Sequence, residues 1–187
     1  MIRIREISPD DADAMVKLMQ QLDRETEFLL FEPGERPLDP GEWKEKMRDP
    51  RSPDYGTFFV AEYVKGDLDQ DVGDEFVPDD AKEGGPILAG YLEVRRLPWQ
   101  KVRHRIYLVI GIRKDFSGMG VGTRLMQEVE NWAGRNGIRR IYLTVIAENL
   151  AAVQLYRKMG YETEGRHPAS MRLHDRYVDE LTMGKWL

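Results

Sequence analysis

Residues 106–122 read Ile-Tyr-Leu-Val-Ile-Gly-Ile-Arg-Lys-Asp-Phe-Ser-Gly-Met-Gly-Val-Gly. The first seven form an apolar run rich in β-branched and aromatic residues, the pattern of a strand buried on both faces. Four mostly charged residues follow, then glycines at 118, 120 and 122. From there Val121, Leu125, Val129 and Trp132 recur at helical spacing. The unit is strand, glycine loop, helix. Glycines let backbone N–H groups approach a ligand without a Cβ in the way. A helix start adds unpaired donors and the positive end of its dipole. Together these make a phosphate-binding device.

Two better-known phosphate loops do not fit. A nucleoside-triphosphate loop ends in Gly-Lys-Ser/Thr, and Gly122-Thr123-Arg124 has no lysine. A dinucleotide fold needs Gly-x-Gly-x-x-Gly tight against its strand. Here residues 113–117 intervene, the glycine spacing differs, and Glu148 would have to serve as the ribose-binding acid.

Outward from this unit, the chain divides into recognisable elements. Ile2, Ile4 and Ile7 read as a first strand, and Ser8-Pro9-Asp10-Asp11 as a helix start leading into Met15, Leu18, Met19 and Leu22. Residues 25–36 set Phe28-Leu-Leu-Phe31 among acids and turn at Pro33-Gly34. Glu27, Glu32 or Glu35 could face a cationic acceptor there, or the segment could be a loop whose apolar residues plug the core. A short helix opens at Asp39-Pro40. Residues 57–64 and 86–97 are strands, separated at 66–85 by an insertion carrying Asp67, Asp69, Asp71, Asp74, Glu75, Asp79, Asp80 and Glu83 against Lys82. That stretch reads as a solvated hairpin loop. It lacks the glycine and distal glutamate of a calcium loop.

Arg95, Arg96, Lys101, Arg103 and Arg105 make the next hairpin basic, either to draw an anionic ligand to the glycine loop or to complement the acidic insertion. Asn136-Gly137 ends the long helix, 138–146 is a strand, and 150–159 is a helix. Met171–Leu173 and Tyr177–Trp186 close the chain as strands about a turn at 174–176. Strands, a central β-loop-α-β, then more strands describe a single α+β domain over 1–187, with a mixed, mostly antiparallel twisted sheet and flanking helices.

Composition narrows the function. The 187 residues carry a formal charge of −5, which supplies no basic field for nucleic acid. There is no cysteine, so disulfides and thiolate chemistry are absent. Three scattered histidines suggest no metal site. Neither a signal-peptide core nor an apolar run long enough for a membrane is present. The expectation is a cytoplasmic protein, with a homodimer allowed.

Residues 112–125, Ile-Arg-Lys-Asp-Phe-Ser-Gly-Met-Gly-Val-Gly-Thr-Arg-Leu, resemble the acyl-CoA-binding motif of the GCN5-related N-acetyltransferases, the GNAT superfamily. Residues 145–161, Val-Ile-Ala-Glu-Asn-Leu-Ala-Ala-Val-Gln-Leu-Tyr-Arg-Lys-Met-Gly-Tyr, resemble its second motif, in the right order and spacing. The resemblance covers all but the acidic insertion. It implies the acyl-CoA N-acyltransferase fold and acetyl transfer from acetyl-CoA to a small-molecule or peptide primary amine in a ternary complex. The rival is a non-catalytic acyl-CoA-binding module for sensing or assembly.

Carried over by residue, the resemblance puts the pyrophosphate on backbone N–H groups from about Gly118 to Gly122, that is Gly118, Met119, Gly120, Val121 and Gly122, with Ser117 and Thr123 also at the cofactor. The pantetheine arm would run along Ile110 and Ile112, with Asn149 beside it. Tyr156 would be the general acid for the departing thiolate and would also contact the cofactor. Ser117 departs from the family, which usually has Arg or Gln there; a side-chain contact is lost while backbone donation is not. Glu93, Glu148, His104, Tyr107, Glu27 and Glu35 are open as general base.

Overall fold

The computed structural model describes residues 1–37, 39–48, 57–64, 78 and 86–187. The insertion expected at 66–85 lies, apart from Pro78, outside the described residues. In chain order the elements are β1 (Ile2–Glu6), α1 (Ala12–Glu25), α2 (Pro40–Arg48), β2 (Phe58–Tyr63), β3 (Ile87–Arg96), β4 (Arg105–Ile112), α3 (Val121–Arg135), β5 (Arg140–Ile146), α4 (Leu150–Lys158), β6 (Glu162–Leu173) and β7 (Arg176–Trp186). The strands form one seven-stranded sheet in the order β1-β2-β3-β4-β5-β7-β6. Every neighbouring pair is antiparallel except β4 and β5. This is the mixed, mostly antiparallel α+β architecture expected from the sequence.

Strand alternation sorts the core into two layers. On β2, Phe59 and Ala61 face α3 with Leu92, Leu108, Leu125, Met126 and Val129. Phe58 and Val60 face the other way, onto Met15, Leu18, Met19 and Leu22 of α1. A strand buried on both faces reads as an apolar run, and β2 does from Phe58 to Ala61, before Glu62. Polar residues fix α1 at its start. The Ser8 N–H donates to Asp11 Oδ2 at 2.7 Å, heading a single 3₁₀ turn over Pro9–Asp11. Arg5 of β1 forks onto both Asp11 oxygens at 2.7 Å and reaches Glu62 of β2 at 2.8 Å.

The feature that matters for function is where the sheet comes apart. β4 pairs with β3 along Ile106–Ile112 but with β5 only from Arg105 to Tyr107. Beyond that register the two parallel strands diverge, and β4 has no β5 partner from Leu108 onward. The last bridge is a side-chain hydrogen bond between Tyr107 Oη and Thr144 Oγ1, 2.8 Å long. It closes the base of a fork.

Two expectations change. β6 is a twelve-residue strand from Glu162, far longer than the closing Met171–Leu173 stretch read from the sequence. Its exposed, polar residues carry no strand periodicity; pairing to β7 makes it, across a bulge between His167 and Met171 where Ala169 takes a φ of 51°. The basic hairpin 97–104 precedes β4, whereas the glycine loop follows it. At about 3.3 Å per residue the hairpin tip, with Lys101 and Arg103, stands roughly 25 Å from the loop, whereas Arg95, on β3, lines the cavity described below. Arg96 instead lies over Trp132, its guanidinium 5.7 Å from the ring centre. No helix among the described residues is long and apolar enough to cross a membrane.

Candidate active site

The fork opens into a cavity of about 860 Å³ that runs from the glycine loop, between β4 and β5, to the segment following α1. Ile110, Ile112, Ser117, Gly118, Gly120, Val121, Gly122, Thr123, Asn149 and Tyr156 all line it. Met119 alone of the expected residues does not; its side chain is exposed, so only its backbone stands at the loop.

The glycines do two different jobs. Gly118 and Gly120 have φ of +79° and +76°, and a Cβ on either would meet nothing within 4 Å. Only glycine takes that conformation at ease, and the open side is the one a ligand would approach. Gly122 is ordinary helix. Its α-carbon is pressed so close that a Cβ would lie 2.8 Å from Leu155 Cδ2 and 3.0 Å from Ile112 Cδ1. It lets α3 dock onto β4 and α4. The N–H groups of Val121, Gly122 and Thr123 open α3 and have no helix carbonyl behind them. Donors, dipole and free space converge at one end of the fork, as a pyrophosphate requires.

The approach to the loop is built on a buried charge. Arg113 is 4% exposed, forks onto Asp115 at 3.1 and 2.7 Å, and packs over Phe116. Ser117 turns its hydroxyl back onto the Arg113 carbonyl at 3.4 Å. From α1, Glu25 accepts the Lys114 N–H at 2.8 Å, tying the acceptor-side segment to the loop entrance.

On α4, Asn149 caps the helix, its Oδ1 accepting the Ala152 N–H at 3.2 Å. Tyr156 follows two turns later on the same side. Its ring belongs to the core, tilted against Tyr161, and also forms part of the cavity wall. Burial, with a smaller contribution from Tyr107, pushes its phenol well above the ordinary value. A phenol raised in this way is protonated at neutral pH.

Of the six carboxylate, imidazole and phenol candidates for the base, the cavity collects two. Glu93 and Tyr107 line it. His104 stacks on Trp186 at the far end of β4. Glu148 pairs with Arg176, Glu27 with His174 at 3.0 Å, and Glu35 holds the Glu32 N–H at 2.9 Å. The acids of the 25–36 segment thus build the loop, while Phe28, Leu29, Leu30 and Phe31 face the cavity. Sequence reading missed Thr144, Met171 and Glu180 in the wall. The alternation Val178, Glu180, Thr182 along β7, with Val178 buried, is the signal that could have found Glu180. No cluster of metal-ligating side chains is present among the described residues.

With that geometry in place, comparison with known proteins is informative. The family model for the GNAT acetyltransferases matches residues 30–161. The chain belongs to the GNAT family. The GNAT fold neighbours include an acetyltransferase from Streptococcus pneumoniae, 27% identical over the whole of both chains with a TM-score of 0.83. Among curated relatives, the N-alpha-acetyltransferase RimI of Mycobacterium tuberculosis is 36% identical over 46% of this chain and 51% of its own. The L-amino acid N-acetyltransferase AaaT of Escherichia coli is 31% identical over 41% and 48%. The chain therefore spans about half the length of these two relatives. Acetyl-CoA is the cofactor of GNAT enzymes, and one solved neighbour of this fold carries it. The open, left-handed Gly118 and Gly120 and the unpaired edge of β4 fit such a group in this chain.

Proposed function

We propose that this GNAT protein moves an acetyl group from acetyl-CoA to a primary amine by direct attack in a ternary complex. The observation that carries the reading is one continuous cavity joining the glycine loop to a second chamber, with Tyr156 in its wall. A module that only bound acyl-CoA would need the loop but not the chamber.

The backbone N–H groups of Gly118, Gly120, Val121, Gly122 and Thr123 would hold the pyrophosphate at the positive end of α3, those of Ser117 and Met119 being donated to the Lys114 and Phe116 carbonyls. The unpaired edge of β4, about Ile110 and Ile112, hydrogen-bonds the pantetheine arm as a neighbouring strand would. Asn149, occupied as a cap through Oδ1, lies along the same route. Bound acetyl-CoA supplies a thioester-activated acetyl: the amine lone pair forms the C–N bond as the C–S bond breaks and its electron pair goes to sulfur. Tyr156, kept protonated by burial, donates to that sulfur. The amine proton leaves by solvent or by Glu93 or Glu180, carboxylates of the wall. The Tyr107–Thr144 bridge fixes the base of the fork against which the acceptor meets the cleft.

The names of the relatives put amino acids and protein α-amines within the range of acceptors. Incubation with acetyl-CoA and an amine panel, read as free thiol, tests the reading. Amine-dependent thiol release supports transfer. Tight acetyl-CoA binding with no release for any amine would favour the binding module instead.

A further inference from the structure

The chamber beyond the fork is walled by two arginines whose counter-ions are tucked behind them. Arg36 donates from Nε and Nη2 to Asp23 at 2.9 and 2.7 Å, its side chain 12% exposed against 2% for the acid. Arg95 donates from Nε and Nη2 to Glu93 at 2.7 and 2.9 Å, and here the exposures are 52% and 14%. In both pairs the carboxylate is the deeper member and the guanidinium the outer one. Each fork spends one edge on its partner, and a guanidinium has five N–H donors, so the Nη1 side of each remains. Both arginines line the cavity, as does the buried Tyr91. The chamber is therefore edged with planar cationic donors, although the pairs are formally neutral.

Beside the Glu180 carboxylate and the Thr144 hydroxyl, much of that end of the cavity is apolar. Phe28, Leu29, Leu30 and Phe31 come from one side, and Met171 from the bulged β6 on the other. Phe28 and Met171 pack together on the small cluster of Ile146, Leu173 and Val178. Of the acids of the 25–36 segment, Glu25 lines the cavity but is held by Gln21 and the Lys114 N–H, Glu27 pairs with His174, Glu35 accepts the Glu32 N–H, and none of Glu27, Glu32 and Glu35 is in the wall.

We infer that the acceptor amine also carries a carboxylate and an apolar side group, a small apolar α-amino acid. Arg95, reinforced by Arg36, binds the carboxylate by a charge-assisted fork, and Phe28, Phe31 and Met171 take the side group. This assignment rests on the acetyl-transfer reading and narrows it: a polyamine lacks the anion, and an internal residue's amine presents no free carboxylate beside it.

The test is a matched series in which only the anion changes: L-leucine, L-leucinamide and 3-methylbutylamine, with spermidine added, compared per unit of free-base amine. Leucine should exceed both uncharged analogues by about 10–100-fold in kcat/KM, the scale of a hydrogen-bonded ion contact. Arg95→Gln should collapse that discrimination, chiefly through KM, and Arg95→Lys should keep part of it. Equal use of leucine and leucinamide, or preference for spermidine, overturns the assignment. Calorimetry with acetyl-CoA separates the two levels. Normal binding alongside the wrong acceptor preference sinks only the acceptor class, whereas absent binding sinks acetyl transfer itself.

Discussion

Gly90 gives a sharp test of how the cleft is held open. It sits on β3 opposite Ile112, the residue where β4 ends and the glycine loop begins. A Cβ at position 90 would fall 2.7 Å from the Gly111 carbonyl oxygen and 3.2 Å from Ile112 Cα. Both are backbone atoms, so no rotamer change relieves them. The strands must separate by about half an ångström, and overpacking of that kind costs about 1–3 kcal/mol. Alanine in place of glycine in a strand returns about 0.5–1 kcal/mol of chain entropy. Gly90→Ala should therefore lose up to about 2.5 kcal/mol, and at roughly 2–4 °C per kcal/mol melt up to about 10 °C lower. Gly134 is the control. It lies inside α3, and a methyl group added there would meet no atom within 4 Å, so Gly134→Ala should gain up to about 1 kcal/mol. Urea titration of the two variants beside the parent protein reads both signs. Acetyl-CoA affinity should fall in Gly90→Ala, because Ile112 moves, and hold in Gly134→Ala. A Gly90→Ala protein more stable than its parent, as Gly134→Ala should be, would refute the steric reasoning.

Other perturbations follow from the same contacts. Gly120→Val has room for its side chain but adopts the left-handed region at a cost of about 1–2 kcal/mol, and its methyls occupy the ligand's approach; acetyl-CoA affinity by calorimetry should drop at least about tenfold in a folded variant, and unchanged affinity would remove the loop from the site. Burial raises the Asp11 carboxyl, but the Arg5 fork and the Ser8 N–H outweigh it and hold it below the ordinary value. A carboxylate depressed in the folded state contributes stability at neutral pH that disappears as pH falls below about 4. Asp11→Asn should be less stable at pH 7 and show a shallower acid limb; an identical acid limb would show that the Arg5–Asp11 pair is not what is lost.

Much of this was legible in the sequence where local pattern and tertiary role coincide. The apolar run of β4, the glycines and the helical spacing of α3 each had one reading, and together they located the cleft. What the glycines were for was only partly legible. Gly118 and Gly120 hold left-handed backbone, whereas Gly122 is there because Leu155 and Ile112 crowd it, and the letters do not distinguish the two. β6 escaped because an exposed edge strand with Pro168 inside a bulge has no alternation to detect; its partner defines it. The fork is a relation between strands thirty-odd residues apart, so neither strand's sequence announces it. The two readings of the acids at 25–36 stayed open in the sequence for a similar reason, since the partners of Glu25 and Glu27, the Lys114 N–H and His174, are remote in the chain.

Catalysis at Tyr156 is tested most directly by Tyr156→Phe, with steady-state thiol release and acetyl-CoA calorimetry run on the same preparation. The substitution keeps the ring and its packing against Tyr161 and removes only the donor. Turnover should fall by about 10²–10⁴-fold, while acetyl-CoA affinity stays within about twofold. A Tyr156→Phe variant turning over at the parent rate would contradict the role assigned to the hydroxyl and return the ring to the core.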